Sequence, residues 1–139
     1  MQSHFLEWNP ELSVDNESLD KQHRELFRII NTILDSEGIE VQSEEFAEIL
    51  TRLTNYVLKH FKDEEAYMHQ IGYPKLKEHA LEHKDYSRKV AMYNVGTMDR
   101  DPSLPANLSS FLQDWWLDHV KVSDQEYRRY AGNSGNSGT

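Results

Sequence analysis

Five histidines and two carboxylates recur along the chain at spacings that let them share one ligand. His60 and Glu64 stand four apart, as do His79 and His83, and residues four apart on an α-helix differ by only about 40° around its axis. Each pair therefore presents two donors side by side. His23 lies between Leu19 and Leu26, and His119 follows Trp115 and Trp116. A single histidine on an apolar face is more often a core residue with a hydrogen-bond partner than a ligand. Two pairs and two further inward histidines are harder to explain as packing, because burying so many polar groups without a common partner is very costly. A metal is that partner.

Asp124 fits less simply. It follows His119 by five residues, about 140° on an ideal helix, so a regular helix turns one of the two away from the core. A local widening of the helix, of the π-bulge kind that often marks functional sites, or fraying near its end would bring Asp124 round. A solvent-facing Asp is the plainer alternative. The candidate donors are then His23, His60, Glu64, His79, His83, His119 and Asp124. Seven exceed what one six-coordinate ion accepts and far exceed a tetrahedral zinc site, so a dinuclear centre is expected. If both carboxylates bridge, and a solvent-derived oxygen bridges too, an ion with three histidines is full at six. An ion with two keeps one open position, where a small ligand would bind. Cysteine is absent, so any metal must be held by nitrogen and oxygen.

Apolar periodicity supplies four helices to carry these donors. The first is expected from about Ser18 to Ser36, with Leu19, Leu26, Phe27, Ile30, Ile33 and Leu34 on one face. Ser43, with Glu44 and Glu45 behind it, is an N-cap for the second, which runs through Phe46, Leu53, Val57 and Phe61 to the breakers of "IGYP". The third is expected from about Pro74 to Val95, with Leu76, Tyr86, Val90 and Tyr93 inward. The fourth is expected from about Ala106 to Tyr130, with Leu108, Phe111, Leu112, Trp115, Trp116 and Val122 as its apolar side. Four amphipathic helices with short connections imply an all-α, antiparallel up-down four-helix bundle. Residues 1–17 form an extended N-terminal arm, whose Phe5, Leu6 and Trp8 are expected to pack across the bundle, and residues 131–139, "GNSGNSGT" at their end, read as a flexible tail, linker or expression remnant.

The length of 139 residues suits one domain, taken here as residues 1–130. With 24 acidic and 15 basic residues and no basic cluster, nucleic acid is not an expected partner. No apolar run is long enough for a membrane span, and "MQSHFLEWNPEL" has neither a basic nor an apolar targeting region. The cytoplasm is the expected compartment.

The segments "LDKQHREL", "HFKDEEAYM", "GYPKLKEHALEH" and "WWLDHVKVSD" closely resemble those of the hemerythrins, in particular the bacterial hemerythrin-like domains, and they cover all four helices. The resemblance implies two iron ions bridged by an oxo or hydroxo group and two carboxylates. His79, His83 and His119 would bind the coordinatively full iron, His23 and His60 the open one, and Glu64 and Asp124 would bridge. It also favours Glu64 over its neighbour Glu65, and it leaves His4 and His69 as surface residues. O2 is the implied ligand, with NO or other small anions as further candidates for the same position. Trp115 and Trp116 would wall the O2 pocket. Two departures from the family pattern stand out: Trp116 where Leu is usual, and Asp15 and Asn16 where Gly is common.

The expected function is therefore reversible O2 binding rather than catalysis, with the linker-like tail favouring an oxygen or redox sensor domain joined to a C-terminal output domain. A stand-alone carrier or store is the alternative. A di-iron peroxidase or oxidase ranks lower, because such enzymes use mostly carboxylates with Glu-x-x-His motifs, whereas this chain offers five histidines.

Overall fold

The computed structural model describes residues 6–35, 39–96 and 101–137. A short 3₁₀ turn, Pro10–Leu12, precedes α1 (Glu17–Leu34), α2 (Glu44–Gln70), α3 (Leu76–Gly96) and α4 (Leu104–Asp118). The chain then passes through one π-helical turn, His119–Ser123, into α5 (Asp124–Ser137), so that α4, the π turn and α5 together form the fourth rod of the bundle. No strand occurs among the described residues. The architecture is the all-α four-helix bundle, with α1 packed on α2 and α4, and α3 packed on α2 and α4.

Helix starts follow local chemistry. Ser43 accepts a hydrogen bond from the Phe46 N–H, and Asn16 accepts one from Leu19 N–H, each satisfying a donor that the first helical turn leaves free. Asp15, just before that cap, holds φ at 60°. Asp tolerates this left-handed conformation better than most side chains. α2 ends at Gly72, whose φ of 71° is the left-handed geometry that closes helices.

The core divides into two apolar clusters. The larger contains Leu26, Ile30, Leu53, Val57, Phe61, Leu108, Leu112, Trp116 and Val120; the smaller contains Val14, Leu19, Met68, Tyr73 and Tyr127. Each fully buried side chain of this kind stabilises the fold by roughly 1.5–3 kcal/mol, and these two layers offset the cost of the polar layer between them. His23 falls between Leu19 and Leu26, His60 and Glu64 between Val57 and Met68, and Asp124 between Val120 and Tyr127. All four are wholly shielded from solvent.

The arm is fixed as expected where it is described. The Leu6 N–H donates to Asn31 Oδ1 at 2.8 Å and Asn31 Nδ2 returns a bond to Leu6 O at 2.9 Å, while Trp8 lies under the Arg24 guanidinium. Phe5 lies outside the described residues. Farther along, Asp20 accepts from the Ser13 hydroxyl (2.6 Å) and the Val14 N–H (2.8 Å), and Gln125 Nε2 donates to Leu12 O at 3.1 Å. The Val14 amide is buried with Asp20 as its partner, and a buried donor left unsatisfied costs about 1–3 kcal/mol. Asp20→Ala is expected to lower stability by about 2 kcal/mol in urea unfolding; a midpoint equal to that of the wild type would show that the arm is held elsewhere.

One expectation is corrected. Val122, placed on the apolar side, is 49% exposed, whereas Val120 is fully buried, because the π turn shifts the helical register by one residue. Residues 131–137, where composition suggests the start of a flexible tail, continue α5 as helix through Ser137. Glycine and asparagine are weak helix formers, but extending a packed helix avoids the cost of nucleating one. No described helix is long and apolar enough to cross a membrane.

Candidate metal centre

All seven candidate donors meet in one layer. The Nε2 atom of His79 lies 3.1 Å from His119 Nε2, and His83 Nε2 lies 3.2 Å from the same atom. Donors bonded at about 2.1 Å to adjacent corners of an octahedron sit about 3 Å apart, so His119 stands to each of the other two as neighbouring donors do around a single ion. His23 and His60, with ring centroids 4.7 Å apart, form a second group. Among the described residues, Glu64 with His79, His83 and His119, and Glu64 with His23 and His60, are the two sets of donor atoms close enough to hold an ion.

Both carboxylates divide their oxygens between these groups. Glu64 Oε1 is 3.2 Å from His79 Nε2, 3.0 Å from His83 Nε2 and 3.7 Å from His119 Nε2. Its Oε2 is 3.5 Å from His23 Nε2 and 3.6 Å from His60 Nε2. Asp124 Oδ1 is 3.1 Å from both His79 and His119, and its Oδ2 is 3.1 Å from His23. The π turn makes this arrangement available to Asp124: five residues close one π turn, so His119 and Asp124 face the same way.

The same atoms are poorly satisfied by one another. His23 Nε2, His60 Nε2 and both Asp124 oxygens are buried without a hydrogen-bond partner, even though His23 and Asp124 are 3.1 Å apart. Close approach without alignment means that these lone pairs aim past each other at common points, as donors to cations do. The electrostatics agree. Burial favours neutral Glu64, but the imidazoles of His60, His119, His23 and His79 outweigh it and hold its carboxyl well below the usual range. Asp124 is likewise held down, burial and the Glu64 charge being outweighed by His119 and His23. For His23 and His79, burial is overcome by contact with Asp124 and Glu64, and each is pushed up to about 9. His60 goes the other way, down to about 3, through burial. The layer thus draws positive charge to itself, and its nitrogen and oxygen donors fit a pair of metal ions.

Outward ring atoms are held by residues that sequence reasoning passed over. His60 Nδ1 meets Gln22 Oε1 at 2.7 Å, His83 Nδ1 meets Glu65 Oε2 at 2.7 Å, and His119 Nδ1 meets Glu82 Oε1 at 3.1 Å. The buried Tyr127 hydroxyl donates to Glu64 Oε2 at 2.8 Å. Such contacts fix ring orientation and tautomer at metal sites. Tyr127, three residues after Asp124, carried the one available signal, a helical step from a donor. Glu65 thus sits against an imidazole's outer edge, while its neighbour Glu64 takes the centre.

The two tryptophans sit on different sides. Trp115 is partly exposed and stacks on His119, with centroids 4.4 Å apart and planes 14° apart. Trp116 is fully buried and lies 5.9 Å from the His60 ring and 5.6 Å from Phe61. His69 is exposed, and His4 lies outside the described residues.

Residues 14–131 match the Hemerythrin HHE cation binding domain family. The chain belongs to the hemerythrin family. A bacteriohemerythrin of Clostridium acetobutylicum is 32% identical over 124 residues, covering 86% of this chain and 96% of that protein. One from Stenotrophomonas maltophilia is 25% identical over 123 residues, covering 88% and 79%. A crystal structure of wild-type hemerythrin superposes with a TM-score of 0.81 at 24% identity, over 91% of this chain and 97% of that one, a likeness of fold. Hemerythrins are non-haem di-iron proteins that bind O2 rather than enzymes, and the buried His/Glu cluster described above fits a metal site of that family.

Proposed function

We propose that this hemerythrin domain, residues 1–130, binds O2 reversibly at one open position of an iron pair, in the cytoplasm, with NO and small anions as competing ligands. His79, His83 and His119 would hold one iron and His23 and His60 the other, with Glu64 and Asp124 shared between them beside an oxo or hydroxo group. The observation that carries this reading is the division of both carboxylates, each turning one oxygen to the three-histidine group and one to the two-histidine group. Three donors against two leaves the second ion a position short.

Iron, when bound, supplies the electrons and the vacant position that O2 requires. The chain supplies the rest. Gln22, Glu65 and Glu82 orient His60, His83 and His119, and Tyr127 occupies a lone pair of Glu64 Oε2 and so steadies the oxygen that faces His23 and His60. Phe61 and Trp116 cover the His60 side with apolar surface, which excludes water and its protons from the ligand.

We assign the domain to sensing oxygen or redox state within a larger signalling protein. Support comes from α5, which carries Asp124 and Tyr127 and runs on past the bundle core, so that a displacement at the centre is carried along the helix towards an output domain. A stand-alone carrier or store is the second reading, favoured by the near-complete coverage of the Clostridium relative. Peroxidase or oxidase activity is disfavoured by the histidine-rich donors.

The test is anaerobic reduction followed by exposure to air, with iron counted per chain. Two irons, a colourless reduced form and a visible charge-transfer band that vanishes when O2 is removed are the expected results. Direct passage to an oxidised form with no reversible band would exclude the binding reading. The sequence of the parent reading frame separates sensor from carrier: a stop codon soon after Tyr130 excludes the attached output domain.

A further inference from the structure

The five imidazoles differ in what holds the ring nitrogen facing away from the centre. His83 and His119 each meet a carboxylate, Glu65 and Glu82. His60 meets an amide, that of the buried Gln22, and His23 Nδ1 is buried with no partner. The three-histidine group is therefore backed by two negative charges, and the two-histidine group directly by none.

The amide has one allowed orientation. Asp63 Oδ2 accepts from Lys59 Nζ at 2.9 Å and lies 2.8 Å from Gln22 Nε2. A carboxylate only accepts, so the Gln22 NH₂ group must face Asp63 and its carbonyl oxygen must face His60. An amide oxygen also only accepts, so His60 carries its proton on Nδ1 and presents the Nε2 lone pair inward. The tautomer of a buried histidine is thus dictated from the surface, through the series Lys59, Asp63, Gln22, His60.

The geometry assigns Gln22 as a positioning residue that fixes His60 in its ligating tautomer and, by placing a neutral amide between His60 and the charge of Asp63, keeps the two-histidine ion poorer in electron density than its neighbour. A carboxylate bonded to the outer nitrogen makes an imidazole a stronger donor. With Glu65 and Glu82 on one group and an amide on the other, the ion held by His79, His83 and His119 is the one better able to sustain a higher charge. The ion held by His23 and His60 would give up electron density less readily and so would release more readily a small ligand, such as O2, that must draw electrons from it. This rests on the assignment of His23 and His60 to the open position.

The test exchanges charge and amide without changing shape or total charge. In the double variant Gln22→Glu with Asp63→Asn, the amide introduced at position 63 donates to the carboxylate introduced at position 22. That carboxylate accepts in turn from His60 Nδ1, so the negative charge moves one link inward. The expected result is a lower midpoint potential of the iron pair and an O2 dissociation constant smaller by on the order of tenfold, with two irons and the wild-type melting temperature retained. An unchanged potential in that protein overturns the proposal. A second measurement needs neither iron redox chemistry nor O2: in the Zn(II)-loaded wild type, nitrogen-15 NMR should show a slowly exchanging proton on His60 Nδ1, lost in Gln22→Leu. A wild-type His60 protonated on Nε2, or not protonated at all, overturns the tautomer assignment. A shifted potential in a protein without reversible O2 binding would leave this proposal standing while removing the binding reading.

Discussion

Glu64→Gln is expected to reduce iron from two per chain to below one after anaerobic loading with Fe(II) and desalting. The substitution keeps the shape and leaves Tyr127 an acceptor, but it turns an NH₂ group towards one of the two histidine groups and removes a negative charge that both share. Losing a ligand common to both ions should cost at least the 10–100-fold in affinity that supporting residues alone command. The fold should survive. Without metal the buried Glu64 carboxylate is paired with imidazoles that hold its carboxyl well below the usual range, so the unloaded variant is expected to melt below the unloaded wild type while still folding. Iron analysis paired with a melting curve of the unloaded protein separates the outcomes: two irons retained at wild-type affinity would show that Glu64 does not bridge.

Trp116→Leu should have the second-largest effect, and on two properties at once. Trp116 is fully buried against His60, Phe61 and Tyr86, and truncating such a side chain leaves a cavity that costs about 2–3 kcal/mol. That cavity opens beside the two-histidine group. Azide, used as a probe of the oxidised protein, should associate about tenfold faster, as expected where a bulky wall limits entry and one residue carries roughly 1.4 kcal/mol of barrier, and oxidation in air should accelerate with it. Stopped-flow mixing measures the first and loss of the O2-dependent band the second. Wild-type azide rates in a folded, two-iron variant would move the entry route away from Trp116. Trp115→Leu is the control, since that ring stacks outward on His119.

How much of this was legible in the sequence depended on whether the determinant was local. Helix periodicity and the Ser43 cap act within one or two turns, and the pairs His60 with Glu64 and His79 with His83 are set by a four-residue step, so they were readable. Asp124 was readable only as a choice between a widened helix and a solvent-facing residue. The π turn that decides it depends on how the last rod packs, and it also misplaced Val122, since every residue after the insertion shifts by one. Gln22, Glu65 and Glu82 were not readable, because each meets its histidine on another helix and nothing in a polar residue beside a stripe reveals which neighbouring helix it will touch. The helical continuation to Ser137 ran against composition for the same reason: preference for coil is weak beside the propagation of an existing helix.

The position of the donor layer between a large and a small apolar cluster bears on how the protein comes apart. Val14, Leu19, Met68, Tyr73 and Tyr127 make a modest core, and it is joined to the larger one through a layer of polar side chains drawn from all four rods. Regions with few apolar contacts open locally before the rest. Metal ions bound across that layer would tie α1, α2, α3 and the last rod into one unit, so that the two ends are expected to melt together. Withdrawing the ions would uncouple them, and the end that holds Val14 and the start of α5 would become free to open while the larger core, with Leu6 and Leu12 of the arm, stays folded.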